Sequence, residues 1–232
     1  MISGLQKMTL LDYPGKVACT VFLQGCNFRC PFCHNSQMLT GSPTPAMDSE
    51  AFFAFLQSRR GLLDGVCVSG GEPTLRPELP EFLARIKDLG FAVKLDTNGS
   101  RPDILQDLVA RGLVDYVAMD VKNSPSRYAQ TVGCSLDLSA VANSLRFLLT
   151  DSVDYELRTT LVSPLHDSDS ITEMGQWLSQ LVPGTLPQKL YLQSFVDRET
   201  VLFSGLSAPN AQQIAQYIQL LTPCVCQVAT RG

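Results

Sequence analysis

Short apolar runs alternate with amphipathic stretches along almost the whole chain of 232 residues, and this alternation is the strongest constraint on the fold. The predicted strands lie at 17–23, 65–69, 92–96, 116–120, 155–162, 189–195 and 225–229. The helical patterns between them lie at 50–58, 78–89, 102–111, 138–149, 169–181 and 208–220. Strands and helices that alternate at this spacing form right-handed βαβ units and a parallel sheet.

Six strand–helix repeats fit either an open doubly wound sheet or a barrel. Polar residues that break the repeat follow the carboxyl ends of successive strands, which is where (β/α) barrels carry their active sites. We therefore predict an α/β fold, a partial TIM-like (β/α)6 barrel with parallel strands that is open at one side. No linker or low-complexity tract interrupts the pattern, so residues 1–232 are predicted to form a single domain. Within it, residues 1–16 are predicted to precede the first strand and residues 222–232 to carry the closing strand.

The formal net charge of −4 leaves no basic patch for nucleic acid and no polybasic run for a membrane surface. No apolar stretch approaches the length of a membrane-spanning helix, and residues 1–7 do not have the pattern of a signal peptide. We expect a cytoplasmic protein with neither nucleic acid nor membrane as a partner.

Three of the eight cysteines lie within eight residues, as Cys26, Cys30 and Cys33. Their spacing is C-x3-C-x2-C, directly after the first predicted strand. A 4Fe–4S cluster normally takes four cysteine ligands. Three thiolates on one loop would leave one iron open, as catalytic metal sites keep one position vacant.

Other interpretations of the same loop remain open. Cys30 and Cys33 alone could form a dithiol redox pair, which leaves Cys26 unexplained. The run from Cys30 to His34 also matches the C-x-x-C-H pattern of haem attachment, which fits poorly with a chain that lacks an export signal. The three cysteines and His34 could together bind structural zinc.

The run from Gln24 to Asn35 resembles the signature of radical S-adenosylmethionine (SAM) enzymes. Its C-x3-C-x2-C-H-N form is most similar to the activating enzymes of glycyl-radical proteins. The opening Leu10–Lys16, LLDYPGK, resembles the branch of anaerobic ribonucleoside-triphosphate reductase activating proteins. The resemblance implies two cofactors, SAM and one 4Fe–4S cluster held by the three clustered cysteines.

The resemblance also implies a set of SAM contacts near the ends of the strands. The GGEP motif would hold the amino group, an aromatic residue would pack on adenine, and an arginine would contact the cofactor from the fifth strand. These cofactor-binding residues are Phe32, His34, Asn35, Gly70, Gly71, Glu72, Asp96, Thr97, Asp120, Lys122, Arg158 and Gln193.

Some members of this set have competing structural explanations. Asp96 could belong to a turn, because Asn98-Gly99 follows it closely. Arg158 interrupts an apolar strand and could instead form an ion pair with Glu156 or Asp154. Gln193 stands where some activating enzymes carry histidine. Cys19 and Cys67 lie in apolar strands and are predicted to be core residues.

By resemblance, the reduced cluster cleaves SAM to methionine and a 5′-deoxyadenosyl radical under anaerobic conditions. That radical would generate a glycyl radical on a partner enzyme, here anaerobic ribonucleoside-triphosphate reductase, with flavodoxin or ferredoxin as electron donor. No side chain is assigned acid–base catalysis. Asp12 matches a position that meets the substrate peptide in relatives.

Two further functions remain possible at this stage. A radical SAM enzyme could use the same core on a small molecule, in modified-base or cofactor synthesis. A non-enzymatic zinc or iron–sulfur interaction module is the other alternative.

Overall fold

Strands and helices alternate through residues 2–39 and 46–231, which are the residues that the computed structural model describes. The strands are β1 (Ile2–Thr9), β2 (Ala18–Leu23), β3 (Gly65–Gly70), β4 (Ala92–Thr97), β5 (Tyr116–Asp120), β6 (Asp154–Leu161), β7 (Lys189–Ser194) and β8 (Gln227–Thr230). The helices are α1 (Ser49–Ser58), α2 (Leu79–Asp88), α3 (Pro102–Ala110), α4 (Tyr128–Val132), α5 (Leu138–Leu148), α6 (Ser168–Gln180) and α7 (Ala211–Leu221). All predicted helices are present within a few residues, and α4 is an addition.

The strands form one eight-stranded sheet in the order β1 to β8, with β1 and β8 at its two edges. Parallel pairs join β2 to β3, β3 to β4, β6 to β7 and β7 to β8. This is the parallel α/β arrangement that the strand–helix alternation predicts.

The prediction that residues 1–16 only precede the first strand was wrong, because residues 2–9 form β1. This strand runs antiparallel to β2, and its register shifts twice. Its middle residues, Gln6 to Met8, are exposed while Ile2 and Thr9 are buried. An irregular edge strand with so few buried positions lacks the alternating pattern by which strands are recognised.

The described residues divide into two compact units that interleave along the chain. The first comprises residues 1–27, 37–97 and 103–118, and the second residues 28–36, 98–102 and 119–232. The prediction of a single domain over 1–232 stays a prediction.

The core of the first unit lies between its strands and helices α1 and α2. Val21, Val66 and Leu95 are fully buried in β2, β3 and β4. On the helices, the rings of Phe52 and Phe82 stack with centroids 5.3 Å apart. Helix α1 begins where the sequence indicates, since the Asp48 carboxylate accepts a hydrogen bond from Ala51 N–H at 2.7 Å.

No helix in the described ranges is long and apolar enough to cross a membrane. None of the eight cysteines forms a disulfide. Cys19 and Cys67 are fully buried, as predicted, and burial raises the pKa of the Cys19 thiol to about 12. A thiol with so high a pKa is a poor metal ligand, because the thiolate is the form that binds metal.

Candidate cofactor site

The cysteine loop follows β2 and contributes to both compact units. Cys26 belongs to the first unit, whereas Cys30 and Cys33 belong to the second. Within the second unit, the loop is folded by a hydrogen bond from Cys33 N–H to the Cys30 carbonyl at 3.1 Å. Cys30 is 8% exposed, while Cys26 and Cys33 are half-buried.

His34 directly follows the last of these cysteines and is held by the segment after β7. Its Nε2 lies 2.7 Å from the Val196 carbonyl oxygen, and its ring stacks on Phe195 with centroids 5.6 Å apart. In residues 2–39 and 46–231, no three His, Cys, Asp or Glu side chains converge as ligands of a single metal ion. A cubane cluster does not require that convergence, because each thiolate binds a different iron. Phe32 is buried and Asn35 half-buried in the same unit.

The glycines of the GGEP motif lie against the main chain that leads into Cys26. Gly71 N–H donates to the Leu23 carbonyl at 2.9 Å, and Glu72 N–H donates to the Gly25 carbonyl at 2.8 Å. A Cβ atom at Gly71 would stand 2.0 Å from the Gly25 carbonyl oxygen, and one at Gly70 would stand 2.3 Å from the Leu23 carbonyl oxygen. Gly70 also has a φ of +118°, which favours glycine. These glycines therefore allow two segments of the backbone to pack in direct contact.

The Glu72 carboxylate lies inside the first unit and is 1% exposed. Its Oε1 accepts hydrogen bonds from Thr74 N–H at 3.1 Å, Thr74 Oγ1 at 2.5 Å and Thr97 Oγ1 at 2.8 Å. Two predicted SAM contacts, Glu72 and Thr97, are thus brought together by a direct hydrogen bond. This bond ties the turn after β3 to the end of β4.

Asp96 is anchored by a buried group that the sequence analysis did not single out. Lys94, two residues earlier on β4, is 1% exposed and forms an ion pair with Asp96 Oδ1. Ser69 Oγ donates to Asp96 Oδ2 at 3.0 Å, and the Cys67 thiol donates to Oδ1 at 3.6 Å. Asp96 is therefore part of a polar cluster between β3 and β4, and not only of the Asn-Gly turn.

In the second unit, Asp120 lies between two cations. Lys122 Nζ donates to Asp120 Oδ2 at 2.8 Å, and Arg158 Nε donates to Asp120 Oδ1 at 2.9 Å. Lys122 and Arg158 are each 15% exposed at the side chain, and Asp120 is 29% exposed. Three predicted SAM contacts thus form one charged cluster with one more positive than negative charge.

Cys30 is electrostatically coupled to this cluster. Burial on its own lowers the pKa of Lys122, but the negative charges of Asp120 and Cys30 and the hydrogen bond to Asp120 outweigh it. The pKa of Lys122 therefore lies above its ordinary value of 10.5, and the ammonium stays charged. Lys122 therefore adds a fixed positive charge to this cluster.

Glu156, one of the two alternative partners of Arg158, has its own cation. The Glu156 carboxylate, with no exposed surface, accepts two hydrogen bonds from Arg231 at 2.6 Å and 3.0 Å. Arg158 instead pairs with Asp120, 38 residues away. Gln193 on β7 is opposite Thr160 on β6, so it lies on the same face of the sheet as Arg158.

His166 is a second residue whose role the sequence did not reveal. It lies in a loop and is only 3% exposed. Its Nε2 lies 2.9 Å from the Lys122 carbonyl oxygen, and its Nδ1 accepts from Val162 N–H at 3.1 Å. Burial lowers the pKa of His166 below 6.5, so the ring is neutral and supports the backbone of Lys122.

Replacing Gly71 with alanine should disturb the start of the cysteine loop, because its Cβ has no space beside the Gly25 carbonyl. We expect the free energy of unfolding to fall by about 1–3 kcal/mol, and iron retention after anaerobic reconstitution to fall with it. Gly112→Ala is the control, since nothing lies within 4 Å of its added Cβ. Gly112→Ala should lose only the stability that alanine costs in the left-handed backbone conformation of Gly112. It should keep its iron. Equal iron contents in the two variants would contradict this role of Gly71.

The stability of the cluster-free protein should depend on pH through His166. Its pKa is lower in the folded than in the unfolded protein, so below about pH 6.5 the unfolded chain binds the extra proton. The free energy of unfolding should then fall with decreasing pH, by at most about 1.4 kcal/mol per pH unit for one proton. Urea titrations should show a shallower pH dependence in His166→Asn. An unchanged slope in His166→Asn would refute the assignment.

Comparison with known proteins places these features in one family. Residues 20–143 match the Radical SAM superfamily. A protein of Methanocaldococcus jannaschii, provisionally named a glycyl-radical enzyme activating enzyme, is 33% identical over 185 residues, covering 76% of this chain and 74% of that protein. The 7-carboxy-7-deazaguanine synthase of Thermococcus kodakarensis is 26% identical over 183 residues, covering 70% and 69%.

A solved structure supports the predicted fold. A domain of the pyruvate-formate lyase-activating enzyme from Bacteroides vulgatus matches with a TM-score of 0.58 at 23% identity, covering 72% of this chain and 99% of that one. The predicted α/β fold with an open, mostly parallel sheet is confirmed. Family membership removes the alternative of a non-enzymatic zinc or iron–sulfur module. The chain belongs to the radical SAM superfamily and is an enzyme that uses a 4Fe–4S cluster and SAM.

Proposed function

We propose that this enzyme generates a glycyl radical on a partner enzyme, and that the partner is anaerobic ribonucleoside-triphosphate reductase. The observation that carries the proposal is the 33% identity to a glycyl-radical enzyme activating enzyme over about three quarters of both chains. The LLDYPGK segment at Leu10–Lys16 supports the choice of the reductase.

In this proposal Cys26, Cys30 and Cys33 hold the cluster. The donor set fits, because soft thiolates select iron–sulfur clusters and none of the three is consumed in a disulfide. When bound, the cluster and SAM supply the one-electron chemistry that the side chains lack. The protein binds, orients and shields these groups.

The charged cluster of the second unit suits an anionic part of SAM. Lys122 and Arg158 together outweigh Asp120, which favours a carboxylate such as that of the methionine moiety. Asp120 holds both cations in place before any ligand arrives. Gln193, on the same sheet face as Arg158, would contribute a neutral donor or acceptor.

The polar cluster of the first unit suits the cationic amino group of SAM. Asp96 presents a carboxylate that is held at both oxygens and is 15% exposed. Glu72 and Thr97 are more deeply buried and fix the turn that carries Gly70 and Gly71. We assign the ammonium contact to Asp96 and to the main chain of the GGEP turn. Phe32, His34 and Asn35 are assigned to the adenosine.

The segment between β1 and β2 is the proposed contact for the substrate peptide. Asp12 accepts a hydrogen bond from Thr20 Oγ1 at 2.5 Å, which fixes its carboxylate on β2. Leu10 and Leu11, just before it, are 68% and 81% exposed. Exposed leucines beside an anchored carboxylate offer a protein segment both apolar contact and a hydrogen-bond acceptor.

The reaction requires an electron donor, which we propose is flavodoxin or ferredoxin, in the cytoplasm. Eight cysteines without a disulfide fit a reducing compartment.

A second function is favoured by one specific observation. The 26% identity to a 7-carboxy-7-deazaguanine synthase extends over 70% of this chain. A radical SAM enzyme of this architecture could therefore act on a small heterocycle. The source of the abstracted hydrogen separates the two functions.

Alanine at Cys26, Cys30 or Cys33 should remove one thiolate and with it the cluster. We expect each variant to lose the brown absorption after anaerobic reconstitution and to stop cleaving SAM, because each thiolate binds a different iron. Cys224→Ser and Cys226→Ser are the matched controls and should retain wild-type iron. Iron loss in either control as complete as in Cys30→Ala would show that the ligand assignment is wrong.

The partner should be identifiable by tracing hydrogen. The reconstituted enzyme, SAM and reductant are mixed anaerobically with a reductase that carries α-deuterated glycine. We expect a glycyl-radical signal in electron paramagnetic resonance and deuterium in the 5′-deoxyadenosine, since the abstracted atom must lie within about 3–3.5 Å of the reacting carbon. A reductase with alanine at its radical glycine is the control. Label acquired only from a small heterocycle would favour the second function.

A further inference from the structure

Lys94 is a fully enclosed lysine in the middle of a buried strand. It is 1% exposed and lies opposite Cys67 on β3, which in turn lies opposite Thr20 on β2. Register partners in a parallel sheet share a face, so these three residues form one polar row across the strands. Lysine is almost never fully buried unless it is paired.

The partner of Lys94 is Asp96, two residues further along the same face of β4. The ammonium forms an ion pair with Asp96 Oδ1 and lies 3.8 Å from the Cys67 sulfur. Lys94 is enclosed, whereas the Asp96 side chain is 15% exposed. The lysine therefore stands behind the carboxylate, and a ligand that meets Asp96 does not touch Lys94.

Both oxygens of Asp96 are held by groups on the same face. Lys94 holds Oδ1, and Ser69 Oγ holds Oδ2 at 3.0 Å. Donors from two strands fix the plane of this carboxylate, and Lys94 supplies a charged one. A buried ammonium is costly to desolvate, so its persistence here requires the paired carboxylate.

We propose that Lys94 is a positioning residue that orients Asp96 toward the amino group of SAM. The inference rests on the proposed contact between Asp96 and that amino group. Lys94 acts through Asp96 alone: its ion pair and hydrogen bond keep the Asp96 carboxylate facing the ligand. A prealigned carboxylate binds an ammonium more strongly than a mobile one does.

The test compares SAM binding to anaerobically reconstituted variants by calorimetry. Lys94→Met keeps the length of the side chain and removes its charge. We expect SAM affinity to fall about tenfold, the effect of losing one charge-assisted contact. A purely structural role of Lys94 would weaken SAM binding in the Asp96→Asn background as well.

Asp96→Asn separates this inference from the contact on which it rests. It should weaken SAM binding by itself, and the double variant Lys94→Met/Asp96→Asn should bind no more weakly than Asp96→Asn alone. Wild-type SAM affinity in Asp96→Asn would show that Asp96 does not contact the amino group of SAM. Weakened binding in Asp96→Asn together with wild-type affinity in Lys94→Met would overturn only the positioning role.

Two further variants keep the test decisive. Cys19→Ala removes a fully buried side chain from β2 that has no role at Asp96, so it should lower thermal stability without changing SAM affinity. Lys94→Gln keeps an amide donor and carries the same comparison if Lys94→Met does not fold. Wild-type SAM affinity in Lys94→Gln, with the cluster absorption intact, would equally overturn the proposal.

Discussion

Main chain packs directly against main chain where the turn after β3 meets the segment after β2. Hydrogen bonds from Gly71 and Glu72 to the carbonyls of Leu23 and Gly25 hold the two together at 2.9 Å and 2.8 Å. No Cβ atom fits between them. Because Cys26 follows Gly25 directly, these bonds set the path of the chain into the first proposed cluster ligand. The glycine pair therefore has a structural task in addition to any contact with a cofactor.

Each carboxylate of the candidate site is fixed by other parts of the protein. Threonine hydroxyls hold Glu72, Lys94 and Ser69 hold Asp96, and two cations hold Asp120. Side chains that are ordered before a ligand arrives lose little entropy when it binds. The same order presents fixed charges to a charged ligand, which is how proteins stabilise charge without reorganisation.

The features that would choose a substrate lie largely outside the part of the chain that matches the family. The match covers residues 20–143, whereas the exposed leucines and Asp12 precede it. Relatives with different named activities share this core. A shared core with variable surroundings is the usual way in which one fold serves several reactions. The LLDYPGK segment, and not the shared cysteine motif, therefore supports the proposed reductase partner.

Local patterns in the sequence determined strands β2 to β8, every helix except α4 and the cysteine loop, because each depends on residues close together in the chain. The same patterns pointed to Asp120, Lys122 and Arg158 but not to their common cluster. Only the tertiary structure decided that Arg158 pairs with Asp120, that Glu156 pairs with Arg231 and that His166 supports Lys122. These partners are 38, 75 and 44 residues apart. A charged side chain in a strand must find an opposite charge, but which one it meets depends on which strands become neighbours. The burial of Lys94 could not be predicted for the same reason. It depends on the neighbouring strand and not on the residues next to Lys94 in the sequence.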